Sequence, residues 1–249
     1  MKMIILAAGK GERLWPLTKN TPKPLLNLGK GNTLLEEQIE RIAESGAVDE
    51  VVVVTGYLGE QIDAKVAGLS HGQMKVSTLY NPFYETTNNL VSLWLARSVM
   101  GEDFMITNGD NLFDSGVFKE FAEANTDGGI YLSVSRKEEF DDDDMKVALD
   151  GGSVAEVRKT IEPERTDAES PGLALVVGER CREVFSDQLD RIVREKKMLN
   201  TFWLEVFNRL YSGGAQVKPW FFEAEGRWRE VDIHPDVSSL EKFLADAGS

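Results

Sequence analysis

Short apolar segments alternate with amphipathic segments along the first half of the chain. MIILA (residues 3–7) is followed by TLLEEQIERIAESG (33–46), whose apolar residues recur at helical spacing, and VDEVVVVTG (48–56) is apolar again. Continuous apolar runs of this length are typical of parallel strands that are covered on both faces. The alternation therefore predicts a doubly wound α/β fold, a mainly parallel sheet with helices on both faces.

Beyond residue 121 the pattern changes to further strands, which the sequence predicts in GGIYLSVSR, DMKVALDGGSVAEVRK and GLALVVG. The DGG triplet (150–152) predicts a hairpin turn within the second of these segments. Two helices are predicted between residues 182 and 214, and another is predicted with its cap near Ser238. Since no repeat or linker interrupts the chain, we expect one domain over residues 1–249: a Rossmann-like sheet, an extra β-hairpin and C-terminal helices.

The charge and cysteine content exclude several classes of function. The net charge of −14 argues against a nucleic-acid partner, which requires a basic surface. The apolar start ends at Ala8 and Lys10 follows, which is too short for a leader or a membrane span. We therefore expect a cytoplasmic protein with no membrane insertion. With Cys181 as the single cysteine and two distant histidines, any metal should be a hard cation held by carboxylates.

LAAGKGERLWPLTKNTPKPLL (residues 6–26) places glycines and an arginine directly after the first strand. Gly9 and Gly11 allow backbone N–H groups to converge on an anion, and Arg13 adds a forked cationic contact. The segment is neither a Walker A loop nor a dinucleotide fingerprint, because no G-K-[ST] closes it and Leu14 stands at the third glycine position. An ordinary glycine-rich turn with a surface arginine is the alternative.

One lysine and two aspartates complete the charged positions of interest. Lys23 lies between two prolines that stiffen its backbone. Asp110 (in NGDN) and Asp232 (in EVDIHPD) each follow a predicted strand, at the sheet edge where α/β proteins bind ligands. Two such carboxylates suit a shared Mg²⁺ that also contacts phosphate oxygens, whereas each aspartate alone is equally explained as a turn or cap residue.

Together these motifs resemble the signature of the nucleotidyltransferases that join a nucleoside triphosphate to a phosphorylated sugar or alcohol, L-A-A-G-x-G-x-R-[LM] followed by a P-K lysine. The resemblance implies catalytic roles for Arg13, Lys23, Asp110 and Asp232, with Mg²⁺ on the two aspartates. It also implies nucleotide contacts from the loop residues Leu6, Ala7, Ala8, Gly9 and Gly11.

The branch of the family is indicated by NPFYETTNNLVSLWLAR (residues 81–97). Its N-x-x-Y-x-x-x-N-N-x-x-S-L pattern is similar to the bacterial CTP:phosphocholine cytidylyltransferases and their phosphonate-activating relatives. That similarity implies CTP as the nucleotide, and it places Tyr84, Asn88 and Asn89 by the base and acceptor pocket. Asn88 is also expected to cap the following helix.

The acceptor stays open between phosphocholine, an aminoalkyl or hydroxyalkyl phosphonate, and another small phosphomonoester. Lys159 and Glu169 also match this branch, where they imply contacts with the substrate. The segment that holds part of the family's aromatic choline box is EEFDDDDMKV here. Its acidic run, Asp141 to Asp144, indicates either a solvated loop or a site that attracts the ammonium group of a substrate. The candidates for replacement aromatics, which are more often core residues, are Tyr131, Phe140, Trp203 and Phe207.

Two rival functions remain on the same fold. A UTP- or dTTP-dependent sugar-1-phosphate nucleotidylyltransferase suits the first 26 residues but not the TNN segment. A non-catalytic regulatory module is the second rival, although such modules tend to lose the arginine, lysine or aspartates that this chain retains.

Overall fold

The structure is a computed structural model that describes residues 1–28, 31–69 and 71–232. Within them the strands are β1 (Lys2–Leu6), β2 (Glu50–Thr55), β3 (Lys75–Tyr80), β4 (Phe104–Asn108), β5 (Asn111–Phe113), β6 (Gly129–Val134), β7 (Lys146–Asp150), β8 (Ser153–Arg158), β9 (Ala168–Glu169), β10 (Ala174–Val177), β11 (Val217–Phe221) and β12 (Trp228–Glu230). The α-helices are α1 (Leu34–Ser45), α2 (Gly59–Ala67), α3 (Asn89–Leu95), α4 (Ser115–Ala124), α5 (Glu179–Arg194) and α6 (Glu205–Ser212).

Seven strands form the central sheet in the order β11-β6-β10-β4-β1-β2-β3. The pairs β1–β2, β1–β4, β2–β3 and β6–β11 are parallel, whereas β10 runs antiparallel to both β4 and β6. The predicted mainly parallel sheet is therefore confirmed, with one antiparallel strand near its middle.

Alternate side chains of β1 point to opposite faces of the sheet, as they must on a strand. Ile4 and Leu6 pack with apolar residues of α3, α5 and α6. Met3 and Ile5 pack with residues of α1, α2 and α4 on the other face. The continuous apolar run is thus explained by burial on both sides, and the prediction of helices on both faces is confirmed.

The ends of α1 are set by local chemistry. The Thr33 hydroxyl accepts the backbone N–H of Glu36 at 3.3 Å, while the Glu36 carboxylate accepts the backbone N–H of Thr33 at 2.8 Å. This reciprocal arrangement satisfies two N–H groups that the first turn leaves without helical partners. Gly46 ends the helix with φ +67°, a left-handed conformation that favours glycine.

Two smaller sheets complete the fold. The antiparallel pair β7–β8 turns at Gly151 and Gly152, which have positive φ as the DGG triplet predicts, and β9 adds a third strand. The second sheet pairs β5 with β12 in antiparallel fashion. This pairing joins segments more than a hundred residues apart.

Several elements are absent from the sequence analysis. The helix α4 has only ten residues with Gly116 in its first turn, and β11 carries Pro219 at the sheet edge, so both have weak patterns. The short strands β5 and β9 form through tertiary pairing. The helix predicted near Ser238 lies outside the described residues.

Among the described helices, none has the length and apolar character that crossing a bilayer requires.

Candidate active site

A cleft of about 390 Å³ opens at the carboxyl ends of β1 and β4. From β1 the chain adds β2 and β3 on one side, and then β4 on the other side. Open α/β sheets bind ligands at such a switch point. The cleft extends from the β1 loop, across the end of β4, to the sheet formed by β7, β8 and β9.

The glycine-containing loop after β1 forms one wall of the cleft, to which Gly9, Gly11 and Arg13 all contribute. Gly11 has φ +63°, and a Cβ there would lie 3.1 Å from Lys23 Cβ, so the loop requires glycine at this position. The Thr18 hydroxyl donates to the Gly11 carbonyl at 2.7 Å and closes the loop. The segment is therefore ordered by its own contacts.

Lys23 begins a 3-10 turn between two prolines, and the residue is 8% exposed. Its Nζ lies 2.8 Å from Asp110 Oδ2 and 2.9 Å from Asp232 Oδ1. Burial opposes the charge, but the attraction of the two carboxylates outweighs burial and raises the pKa of Lys23. The Lys23 ammonium therefore stays charged in the cleft, where it pairs with Asp110 and Asp232, the two aspartates that the sequence analysis selected.

Three carboxylates gather at this point: Asp110, Glu230 and Asp232 each place an oxygen within 4.8 Å of the others. The register of β5 with β12 sets Glu230 opposite Asn111, and the Val231 N–H donates to the Asp110 carbonyl at 2.9 Å. The β5–β12 pairing therefore brings the distant acidic segments together.

Glu230 is absent from the sequence analysis, although a signal for it exists. It stands two positions before Asp232, and in an extended segment residues two apart share a face. Glu230 lines the cleft beside both aspartates and is exposed to solvent there. Desolvation by the surrounding protein atoms, followed by the negative charges of Asp110 and Asp232, raises the pKa of Glu230 to about 7.

Arg13 contributes the second cation of the cluster. Its Nη1 contacts Asp232 Oδ2. Burial alone would raise the pKa of Asp232, but Lys23 and Arg13 outweigh it and lower that pKa. The arrangement therefore alternates positive and negative groups along the floor of the cleft.

The carboxylate cluster fits a divalent hard cation. The Oδ1 atom of Asp110 is buried, and no residue that the structure describes donates a hydrogen bond to it. A buried carboxylate oxygen without a donor is costly unless a cation contacts it. Oxygen-only ligands that include several carboxylates are the set that Mg²⁺ prefers.

The end of the cleft between β1 and α3 is lined by polar side chains. Asn88 caps α3 as predicted, with its Oδ1 accepting the Asn89 N–H at 2.8 Å. Asn89 Oδ1 accepts the backbone N–H of Trp203 at 2.8 Å, so the pair links α3 to the opposite wall. The buried Asn81, which the sequence analysis did not select, donates to Ser92 Oγ at 3.0 Å and also lines this end.

The remaining predicted loop residues also face this end of the cleft, namely Leu6, Ala7, Ala8 and Tyr84. Beside Tyr84, Lys10 pairs with Glu85 at 3.2 Å and links the glycine loop to the segment before α3. The structure thus gathers the residues that the family resemblance assigns to nucleotide binding, while their roles stay predictions.

The opposite end of the cleft is acidic. Glu169 and Asp144 line it, and Lys137 approaches both, with Nζ 3.1 Å from Glu169 Oε2 and 2.5 Å from Asp144 Oδ2. Burial raises the pKa of Glu169 despite the opposing attraction of Lys137. Lys159 lines the same end and pairs with Asp143 at 2.9 Å. Part of the acidic run therefore faces the cleft rather than bulk solvent.

Tyr131 lies elsewhere. It is 4% exposed in the core, and its hydroxyl donates to the Asp127 carbonyl at 2.6 Å. The prediction that Tyr131 binds substrate is not supported, because the residue packs with the α1 side of the sheet, away from the cleft lining. Phe207 is also fully buried, and Trp203, which does line the cleft, packs edge-on against it at 5.6 Å.

The fold and the motifs define a class of protein. A sequence model of the nucleotidyl transferase family matches residues 2–140, more than half of the chain. The chain therefore belongs to the nucleotidyl transferase family.

Two curated proteins are similar to this chain in sequence. The chain is 35% identical over 138 residues to a choline-phosphate cytidylyltransferase of Streptococcus pneumoniae, covering 55% of each protein. It is 36% identical over 124 residues to a CMP-5'-(3-aminopropyl)phosphonate synthase of Streptomyces rubellomurinus, covering 50% of this chain and 19% of that protein. The chain thus matches about half the length of the first relative and less of the second.

A solved structure shares the fold of this chain. The structure of a CTP:phosphocholine cytidylyltransferase from Streptococcus pneumoniae superposes with a TM-score of 0.77 and 24% identity, over 98% of both chains. At this identity the similarity establishes the shared fold, including the part of the chain beyond residue 140.

Proposed function

We propose that this chain is a cytidylyltransferase that transfers CMP from CTP to a small phosphomonoester or phosphonate and releases pyrophosphate. The observation that carries the proposal is the Lys23 ammonium held between Asp110 and Asp232, beside a glycine loop at the sheet's switch point. Cations next to a divalent-cation site suit the reaction of one phosphate with another.

The preference for CTP rests on the segment before α3 and on the relatives. Asn88 and Asn89 belong to the N-N-x-x-S-L pattern, and both line the same cleft as the β1 loop. Amides supply both donors and acceptors, which a cytosine edge requires. The two curated relatives described above are named as a cytidylyltransferase and a CMP-phosphonate synthase.

The chemistry requires no general base. The second pKa of a phosphate monoester is near 6, so the attacking oxygen is ionised at neutral pH. That oxygen bonds to the α-phosphorus of CTP, and the bond to the bridging oxygen breaks, so that pyrophosphate leaves with the electron pair. The barrier is the approach of two anions, which a site lowers by orientation and by fixed positive charge.

The residues of the cleft have distinct proposed roles in that step. Gly9 and Gly11 offer backbone N–H groups to the β- and γ-phosphates. Lys23 and Arg13 stabilise the charge that moves onto the leaving group, the arginine through its forked geometry. Since Lys23 is already held in place by its carboxylate partners, little reorganisation is needed.

Mg²⁺ is the proposed cofactor. Asp110 and Asp232 would hold it, with Glu230 as the third carboxylate of the cluster. When bound, Mg²⁺ supplies Lewis-acid polarisation and charge neutralisation at phosphate oxygens.

The acidic end of the cleft favours an acceptor with a positively charged group. Glu169, Asp144 and Asp143 place three carboxylates there, against the ammonium groups of Lys137 and Lys159, which leaves net negative charge. An ammonium group of the acceptor would lie at that end while its phosphate or phosphonate points to Lys23. Lys159 borders the same end and is proposed to contact the acceptor phosphate.

The test is an acceptor and nucleotide panel. The protein is incubated with Mg²⁺, one of CTP, UTP or dTTP, and one of phosphocholine, 2-aminoethylphosphonate, 2-hydroxyethylphosphonate or glucose 1-phosphate, and products are followed by phosphorus NMR. Asp110→Asn, which keeps the shape of the side chain, is the matched control. The proposal predicts a CMP-linked product that Asp110→Asn does not form.

Other outcomes of the panel identify the rivals. A nucleoside-diphosphate sugar formed from UTP or dTTP would indicate the sugar-1-phosphate enzyme. A folded protein that binds nucleotide and forms no product with any acceptor would favour the regulatory module.

A further inference from the structure

Gln38 lies within α1, on the side that faces the junction of β4 and β5. The residue is 3% exposed. Its Nε2 donates to the backbone carbonyl of Asn108 at 3.1 Å and to that of Asn111 at 2.6 Å. Because two carbonyls are acceptors only, they fix which end of the amide is the nitrogen, and both of its hydrogens are used.

These two carbonyls bracket the corner at Gly109–Asp110. The strand β4 ends at Asn108 and β5 begins at Asn111, so the Gln38 amide joins the two ends of the corner. A side chain on a helix is a more rigid support than one on a loop. The corner that carries Asp110 is therefore tied to α1 on both sides.

Two backbone hydrogen bonds also hold the corner at Gly109–Asp110. The Gly109 N–H donates to the Leu6 carbonyl at 2.8 Å, and the Asp110 carbonyl accepts the Val231 N–H at 2.9 Å. The corner is thus held by β1, by the segment that follows β12, and by α1. Of the three supports, the contact from α1 is made by a side chain, which makes it the one that substitution can remove.

Packing by itself does not explain an amide at this position. Gln38 Oε1 is buried with no hydrogen-bond donor among the described residues. An unpartnered buried oxygen costs free energy, and an apolar side chain such as methionine has nearly the same shape. The benefit that offsets this cost is the pair of hydrogen bonds to the corner.

We propose that Gln38 is a positioning residue that holds the Asp110 carboxylate in the geometry that binds the divalent cation. The inference rests on the proposed function, since it assumes that Asp110 binds the metal. Residues that orient a metal ligand without touching the metal influence affinity strongly, and their loss typically costs about 10–100-fold.

The test measures metal binding directly rather than turnover. Mn²⁺ substitutes for Mg²⁺ at oxygen-rich sites, and its free concentration is read from the electron paramagnetic resonance spectrum. We expect Gln38→Met to weaken Mn²⁺ binding about tenfold or more. Gln38→Asn keeps the amide but is one methylene shorter, and we expect an intermediate loss.

A matched control is available at Asn125. This buried amide donates to the Phe121 carbonyl at 2.8 Å, away from the cleft. Asn125→Leu also removes a buried amide hydrogen bond, so it should lower the melting temperature and leave Mn²⁺ affinity unchanged. The comparison separates loss of stability from loss of metal geometry.

The outcomes are distinct. If wild-type protein binds Mn²⁺ and Gln38→Met binds it equally well, Gln38 has a purely structural role and the inference is wrong. If Gln38→Met does not fold, Gln38→Asn decides by the same measurement. If wild-type protein itself binds no Mn²⁺, or Asp110→Asn does not weaken binding, the metal assignment in the proposed function fails first.

Discussion

Lys23 Nζ and Asp110 Oδ2 lie 2.8 Å apart, although 87 residues separate them in the chain. The lysine comes from the loop after β1 and the aspartate from the corner after β4. The contact therefore joins the two parallel strands at the switch point of the sheet, and it brings the glycine loop and the carboxylate cluster into one site.

The first prediction concerns turnover. Lys23→Met keeps most of the side-chain volume and removes the charge, so the negative charge of the leaving group loses a preorganised partner. We expect kcat to fall by about 10²–10³-fold, the range for removal of one such group. The measurement is pyrophosphate release under saturating CTP and acceptor. Lys75→Met, on an exposed position of β3, is the control, and equal activity in the two variants would contradict the role of Lys23.

The second prediction concerns the metal and stability. In Lys23→Met the carboxylates of Asp110, Glu230 and Asp232 lose the ammonium between Asp110 and Asp232, and their repulsion is relieved mainly by a divalent cation. We expect a lower melting temperature in EDTA and a larger rise on adding Mg²⁺ than in wild-type protein. Thermal denaturation in the two conditions measures both. A Mg²⁺ shift no larger than that of wild type would argue against a metal at this cluster.

The third prediction concerns the acceptor. Glu169→Gln keeps the shape of the side chain and removes a negative charge at the acidic end of the cleft. We expect KM for 2-aminoethylphosphonate to rise about tenfold, as for loss of a hydrogen bond to a charged group, while KM for 2-hydroxyethylphosphonate changes little. Glu162→Gln, at an exposed position after β8, is the control. Equal effects on the two acceptors would place the ammonium elsewhere.

The fourth prediction concerns the corner before Asp110. A Cβ on Gly109 would lie 2.8 Å from Ala7 Cβ and 3.0 Å from Ala7 Cα, so β1 and β4 must move apart in Gly109→Ala. We expect a loss of about 1–3 kcal/mol in the free energy of unfolding, measured in urea, together with lower activity. A Cβ on Gly101 would have no heavy atom within 4 Å, so the free energy of unfolding of Gly101→Ala should stay within about 1 kcal/mol of the wild-type value. Similar stabilities for the two variants would refute the close approach.

The fifth prediction is a pH dependence of stability at α1. Burial opposes ionisation of Glu36, but Lys65, at 2.6 Å, and the Thr33 hydrogen bonds outweigh it and lower the pKa of Glu36. A carboxyl with a lowered folded pKa adds stability above its unfolded pKa, and this is lost as the pH falls through the folded pKa. Glu36→Gln should thus cost up to about 1 kcal/mol at pH 7.

Urea unfolding at pH 7 and at pH 3 measures that difference. Glutamine can still cap the helix, so the variant isolates the charge. The gap between Glu36→Gln and wild type should narrow at pH 3. A gap that stays constant between the two pH values would show that the charge of Glu36 contributes nothing.

Much of the site could be predicted from the sequence because its chemistry is local. The loop with Gly9, Gly11 and Arg13 directly follows a strand, and the prolines around Lys23 act on neighbouring backbone. Asn88 caps α3 through an adjacent residue. Each signal lies within a few positions of the residue it identifies, which is why a single sequence reveals it.

One residue that the sequence analysis missed and one that it misassigned depend instead on contacts between distant segments. Glu230 escaped notice because its importance depends on the pairing of β12 with β5, a contact between distant segments. Tyr131 was predicted to bind substrate, yet it is buried in the core on the α1 side of the sheet, outside the cleft lining. In both cases the position of the side chain relative to the cleft depends on strand pairing and strand order between distant segments, which no short motif encodes.

The sequence by itself determined the alternation of strands and helices, the glycine loop and the charged residues available to it, because backbone preference and hydrophobic spacing act over a few residues. Only the tertiary structure decided which of those charges meet. The distances among Lys23, Asp110, Glu230 and Asp232 follow from strand order and register, and these depend on how the whole sheet buries its two faces.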